Sequence, residues 1–193
     1  MTTRQNMNSK ILYLHGFASS SQSEKALITK AYFQQQLPDV ELLMPDLPYT
    51  PKEAVSAIEQ ALNGRRPDAV IGSSLGGFLG TYLAEKTGCY AALINPAVAP
   101  YELLSQHFGT YHHPVLKQDF KVEPQHMPLL AELEHKPSAL DRYLVLLQEG
   151  DEVLDYRKAV QFYAGCTVDV QPGGDHSYQG YANCLPAIVK FCQ

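Results

Sequence analysis

Short, almost wholly apolar runs alternate with segments of helical spacing along most of this chain, and that alternation limits the folds open to it. The runs are KILYLHGF, DVELLMPDLP, DAVIGSS, YAALINPAV, RYLVLLQEGDE and TVDVQPGG. Strands that are apolar throughout, rather than at every second residue, are buried on both faces. Helices between successive strands supply the cover, so a parallel sheet in a three-layer α/β arrangement is expected. Between the runs, SSSQSEKALITKAYFQQQL places Ala26, Leu27, Ala31, Phe33 and Leu37 at helical spacing, and PKEAVSAIEQALNG begins on Pro51 and stops at Gly64. LGGFLGTYLAEKTG ends at Gly88, LDYRKAVQFYAGC follows the fifth run, and QGYANCLPAIVKFC closes the chain with a bend expected near Pro186. The rhythm fails from 100 to about 138, where histidines, prolines and aromatics show no period. That segment reads as a lid inserted over the C-terminal ends of the strands, where parallel α/β sheets carry their sites.

A chain of 193 residues with 45% apolar content supplies one core, so residues 1–193 are expected to form one domain, with 1–9 frayed. The net charge of −5 comes without a basic stripe, which argues against a nucleic-acid partner. No stretch of 18 apolar residues occurs, so no membrane span is expected, and MTTRQNMNSK lacks the apolar centre of a secretory signal. Cys89, Cys166, Cys184 and Cys192 have no zinc or redox spacing and are expected to be reduced, consistent with a cytoplasmic setting.

Gly72-Ser73-Ser74-Leu75-Gly76 fits G-x-S-x-G. Such a match arises by chance in about one chain in twenty of this size, so its place matters more than its letters. It lies where the third strand should turn into a helix, the setting of a serine nucleophile on a strained corner. Gly72 and Gly76 would remove side chains that clash where strand and helix approach closely. The helix opening at Leu75 would aim its N–H groups at developing negative charge. Ser74 is therefore the nucleophile candidate.

A serine hydroxyl needs a base. PGGDHSY offers His176 after the sixth strand; His107, His112, His113, His126 and His135 lie in the insert and His15 follows the first strand. The base needs an acid, and LLQEGDEVLDY offers Asp151 after the fifth strand, with Asp155 as a rival better suited to capping the next helix. Asn95 ends the strand after the nucleophile helix, but an amide cannot supply the charge. The order Ser74, Asp151, His176 is that of hydrolases built on this corner. A second oxyanion donor beside the Leu75 N–H is expected from LHGF: Gly16 lets the loop approach, the Phe17 N–H would point in, and His15 either braces the loop or is an ordinary turn residue.

On these residues the chain resembles the α/β-hydrolases, and more narrowly the small YqiA-type esterase family. The match runs from about Ile11 onward through LYLHGF.SS, GSSLGG, NPAV.P.ELL, GDEVLDYR and GG.H. The resemblance implies a compact, mostly parallel sheet of about six strands, without the two leading antiparallel strands of larger hydrolases, and a shallow acyl pocket. It also implies esterase activity on short- to medium-chain acyl esters, and on thioesters, through Ser74, His176 and Asp151, with no cofactor.

Other readings compete. GSSLGG lacks the Lys-Ser/Thr of a phosphate loop and the spacing of a dinucleotide fold. The histidines of HFGTYHHP fit no standard metal-ligand spacing. A silent hydrolase scaffold that only binds acyl ligands or a partner is the alternative to an enzyme. Leu103, Leu104, Phe108, Tyr111, Phe120, Met127, Leu129 and Leu130 of the insert are expected mostly to pack on the sheet, with some lining an acyl pocket.

Overall fold

In the computed structural model, which describes residues 9–113 and 117–193, the apolar runs form one sheet. Its strands are β1 (Lys10–Leu14), β2 (Glu41–Leu43), β3 (Ala69–Ser73), β4 (Tyr90–Ile94), β7 (Tyr143–Gln148) and β8 (Thr167–Gln171). They lie in the order β2-β1-β3-β4-β7-β8, and every pairing is parallel. The four central strands are buried along nearly their whole length, as their continuous apolar character requires.

Successive residues of each strand feed opposite cores. Leu12, Leu14, Val70, Leu93, Val145 and Leu147 pack with α2 (Pro51–Leu62), α3 (Leu75–Thr87) and α6 (Tyr156–Phe162). Ile11, Tyr13, Ile71, Ile94, Leu144 and Leu146 pack with α1 (Glu24–Gln36) and α7 (Tyr181–Cys192) on the other face. This is the three-layer α/β arrangement that the alternation predicted, and among the described residues no antiparallel strand joins the main sheet.

The helix boundaries follow local chemistry. Thr50 caps α2, its hydroxyl accepting from Glu53 N–H ahead of Pro51, and Asn63 closes that helix in the left-handed region. Asp155 caps α6 by accepting from Arg157 N–H. Helix α1 departs from expectation. It buries Ala26, Thr29 and Phe33, while Leu27 is 46% exposed and Ala31 also faces outward. Thr29 is accommodated because its hydroxyl bonds Lys25 O and the Tyr181 hydroxyl across the layer. Helix α7 runs through Pro186.

The segment between β4 and β7 has regular structure that its sequence did not signal. It comprises α4 (Pro100–Leu104), an antiparallel hairpin of β5 (Gly109–His112) and β6 (Asp119–Val122), and α5 (His126–Glu132). All of β5 is exposed, so its residues were under no pressure to alternate. His112 and His113 diverge. His112 pairs with exposed Asp119, whereas buried His113 hydrogen-bonds Ser19 O at 2.9 Å.

The expected fraying falls on residues 1–8, outside the described residues, and on Ser9. Ser9 is tied down: its carbonyl accepts from Glu41 N–H at 2.9 Å. Cys89 and Cys192 are buried, Cys166 and Cys184 half-buried, and all four are free thiols. No helix among the described residues is long and apolar enough to cross a membrane.

Candidate active site at the strand ends

β3 is central, and the turn that leaves it is unusually tight. A Cβ on Gly72 would lie 2.3 Å from Gly76 O, and one on Gly76 would lie 2.1 Å from Leu14 O. Only glycine permits strand, turn and helix to close to this distance. Ser74 at the apex has φ 55° and ψ −120°, a conformation that costs a non-glycine residue about 1–3 kcal/mol. The surroundings enforce it: Ser74 N–H donates to Ile94 O at 3.0 Å, and Ser74 O accepts from Ala97 N–H at 3.0 Å. The result is a hydroxyl raised above the sheet while Ser73 remains buried.

His176 arrives from the loop after β8. Its Nε2 lies 3.1 Å from Ser74 Oγ, and its Nδ1 lies 2.9 Å and 3.0 Å from the two carboxylate oxygens of Asp151. A carboxylate only accepts, so the imidazole proton belongs on Nδ1. That leaves the Nε2 lone pair facing the serine hydroxyl. The Asp151 side chain is 2% exposed, against 24% for His176. Burial works against the Asp151 charge. Hydrogen bonds from His176, Leu154 N–H and Val153 N–H outweigh that penalty and hold its pKa below the usual 3.8. The rival Asp155 is occupied by its helix cap.

The loop after β1 closes the other side. Gly16 lies against the serine, since a Cβ there would stand 3.2 Å from Ser74 Cβ. Among the described residues, the N–H groups of Phe17 and Leu75 have no hydrogen-bond partner in the protein. His15 is a brace rather than a plain turn residue. Leu47 N–H donates to its Nε2 at 2.9 Å and its Nδ1–H donates to Gly16 O at 2.9 Å, joining the loops after β1 and β2. The bond from Leu47 needs a neutral ring, since Nε2 must accept, and burial keeps the His15 pKa below the usual 6.5.

Sequence reasoning missed how these loops are held. Phe120 of the hairpin packs edge-on to Phe17 (centroids 5.4 Å) and stacks on Tyr49 at 3.8 Å. Beside Phe17 and Leu75 opens a nearly filled apolar crevice of about 20 Å³, bounded by Ala54, Leu79, Leu104, Met127 and Leu130. Leu104, Met127 and Leu130 thus both pack and line the crevice, whereas Phe108 (44% exposed), Tyr111 and Leu129 face outward. On the His176 side, Glu152 accepts from His176 N–H at 3.0 Å and Lys25 donates to Ser177 O at 2.9 Å. No spacing rule links these distant positions.

Solved structures share this architecture at low identity. A putative hydrolase from Agrobacterium vitis S4 aligns with TM-score 0.70 and 15% identity, over 96% of this chain and 88% of the other. A monoacylglycerol lipase from Paleococcus ferrophilus aligns at 0.68 and 14%, over 95% and 93%. Est1E from Butyrivibrio proteoclasticus aligns at 0.66 and 16%, over 94% and 85%. At such identities the likeness concerns the fold. Family-level similarity extends over residues 10–193, almost the whole described chain, and by it this α/β-hydrolase-fold protein belongs to the uncharacterised protein family UPF0227, the YqiA-type family.

Proposed function

We propose that this protein is a serine esterase acting on short- to medium-chain acyl esters and on the related thioesters. The observation that carries this is the continuous relay from buried Asp151 through His176 to the raised hydroxyl of Ser74. Three groups from three separate strand ends meet at hydrogen-bonding distance, and the histidine has the tautomer that a general base needs.

In this reading Ser74 Oγ attacks the acyl carbonyl as its proton passes to His176 Nε2. The Phe17 and Leu75 N–H groups, unspent within the protein, receive the oxyanion; each such donor contributes about 2.7–4 kcal/mol to the transition state. Asp151 stabilises the imidazolium, which then protonates the departing alcohol or thiol. Water repeats the sequence on the acyl-enzyme. The apolar side chains around that crevice, Leu104, Met127 and Leu130 among them, give an acyl chain an apolar wall to lie against beside the oxyanion donors. The segment between β4 and β7, as the roof of that crevice, serves as a lid within a single catalytic domain. The esterase and lipase named among the structural neighbours are consistent with this chemistry.

The test is fluorophosphonate labelling, with the modified residue located by peptide mass spectrometry. Stoichiometric label on Ser74, absent from Ser74→Ala and strongly slowed in His176→Ala, is expected. A folded wild type that takes no label would instead favour a scaffold that only binds acyl ligands.

A further inference from the structure

Asn95 and Gln148 are buried side chains that the relay above does not use, 2% and 3% exposed. Buried amides are costly unless satisfied, and these two are satisfied largely by one segment, the loop carrying His176. Asn95 Nδ2 donates to Asp175 O at 3.0 Å and to His176 O at 3.4 Å, while its Oδ1 accepts from Gln148 N–H at 3.0 Å. Gln148 Oε1 accepts from Asp175 N–H (3.2 Å) and Gln179 N–H (2.8 Å), and its Nε2 donates to Gln179 O at 2.8 Å. The two amides therefore grip the main chain on both sides of His176, and Asn95 reaches the histidine's own carbonyl.

The chemistry at 95 is specific to an amide. Two carbonyl oxygens face one end of the side chain and an N–H faces the other, so only a group with a donor and an acceptor fits. A carboxylate of the same shape would set an oxygen against two carbonyl oxygens. The residue also sits at φ 40°, a left-handed conformation that asparagine tolerates better than most residues. This strand end thus carries a hydrogen-bonding fork aimed at the histidine loop.

We propose that Asn95 and Gln148 are positioning residues that hold His176 in register with Ser74 and Asp151. The inference rests on the esterase reading for its kinetic consequence, but not for its structural one. Asp151 orients the ring, and the two amides fix the backbone from which that ring projects. A displacement of about 1 Å at such a centre costs on the order of a hundredfold in rate.

The experiment compares wild type with Asn95→Ala, Asn95→Asp, Gln148→Ala and Gln148→Glu, each checked for a cooperative melt. Two readouts are used: the fluorophosphonate labelling rate of Ser74, and the ¹⁵N ring shifts of His176, which report its tautomer. Labelling is expected to slow by about 10- to 100-fold in the alanine variants and in Asn95→Asp. Gln148→Glu keeps the acceptor but sets an oxygen against Gln179 O, so it should slow labelling as Asn95→Asp does. Ester turnover should fall in kcat with KM within about threefold, and the Nδ1–H tautomer should give way to a mixture. Folded Asn95→Ala and Gln148→Ala proteins with wild-type tautomer and labelling would overturn the proposal. Should Asn95→Ala fail to fold, the Gln148 pair decides it. A wild type that takes no label would defeat the esterase reading alone, because the ring shifts still report whether the amides place His176.

Discussion

The two loops that flank Ser74 are held by different forces. The His176 loop is fixed by directional hydrogen bonds from two buried amides, Asn95 and Gln148, with exposed Glu152 and half-buried Lys25 at its rim. The Phe17 loop is fixed by ring packing from the hairpin and by His15, with Phe120 bearing on both Phe17 and Tyr49. The difference fits what each loop would present in the proposed mechanism. A base needs its ring at a defined angle to two partners, which hydrogen bonds specify. An oxyanion donor needs a peptide N–H left free, and aromatic packing can hold a loop without consuming its donors.

The contrast can be broken from either side. The largest effect is expected for Asp151→Asn on the histidine side. The amide carbonyl can still accept from Val153 and Leu154 N–H, so the protein should fold. The tautomer of His176 is no longer dictated, however, and kcat should fall about 10⁴-fold. A loss under tenfold in steady-state ester hydrolysis would remove Asp151 from the relay.

On the other side, Phe120→Ala removes the ring that bridges Phe17 and Tyr49. Truncating a buried phenylalanine costs about 3–5 kcal/mol of stability, readable in a denaturant melt. Activity at a temperature where the variant is folded should fall about 10- to 100-fold, through a loosened Phe17 N–H. Unchanged kcat in the folded variant would show that the hairpin does not govern the oxyanion loop.

Acid separates the two sides. His15 in the folded protein has a pKa below the usual 6.5, so below that value the unfolded chain binds more protons than the folded one. Stability on the Phe17 side is complete above about 6.5 and is lost as pH falls toward the lower folded value. For Asp151 the same sign applies in a more acidic window: its contribution is present above 3.8 and lost as pH falls through its depressed folded value. Melting temperature should therefore drop as pH falls below about 6.5 in wild type, and drop less in His15→Gln. Equal slopes would mean that His15 is not the group that titrates.

The smallest effect concerns the crevice. Met127→Ala should shift ester preference toward longer acyl chains by a few-fold, whereas Phe108→Ala, on an exposed face, should leave the chain-length profile as it is. A shift in the second and not the first would relocate the acyl site.

What the sequence carried and what it hid follow the same division. The strands were legible because burial on both faces leaves continuous apolar runs, and Ser74, Asp151 and His176 because each stands where a strand stops. Gly72 and Gly76 were legible both as a spacing and in their reason, a close approach of strand and helix; the structure adds which backbone a Cβ would meet, Gly76 O and Leu14 O. The hairpin was hidden because exposed β5 carries no alternation. Leu27 misled because helical spacing does not say which stripe is buried when Thr29 finds a cross-layer partner. Asn95 was noticed only as an amide where an acid could stand; its partners lie 53 and 80 residues away.

The contact between His176 and Ser74 spans 102 residues. A chain emerging from the ribosome would carry a finished serine corner long before it possessed a base, and would hold an inert hydroxyl until β8 had docked. The same geometry runs in reverse. β8 is an outer strand with much of its length exposed, so its detachment is among the cheaper excursions open to the native state. Each such opening would carry the histidine away while leaving the rest of the sheet intact. Catalytic competence would thus vanish well before the fold does, and heat inactivation should precede the calorimetric transition.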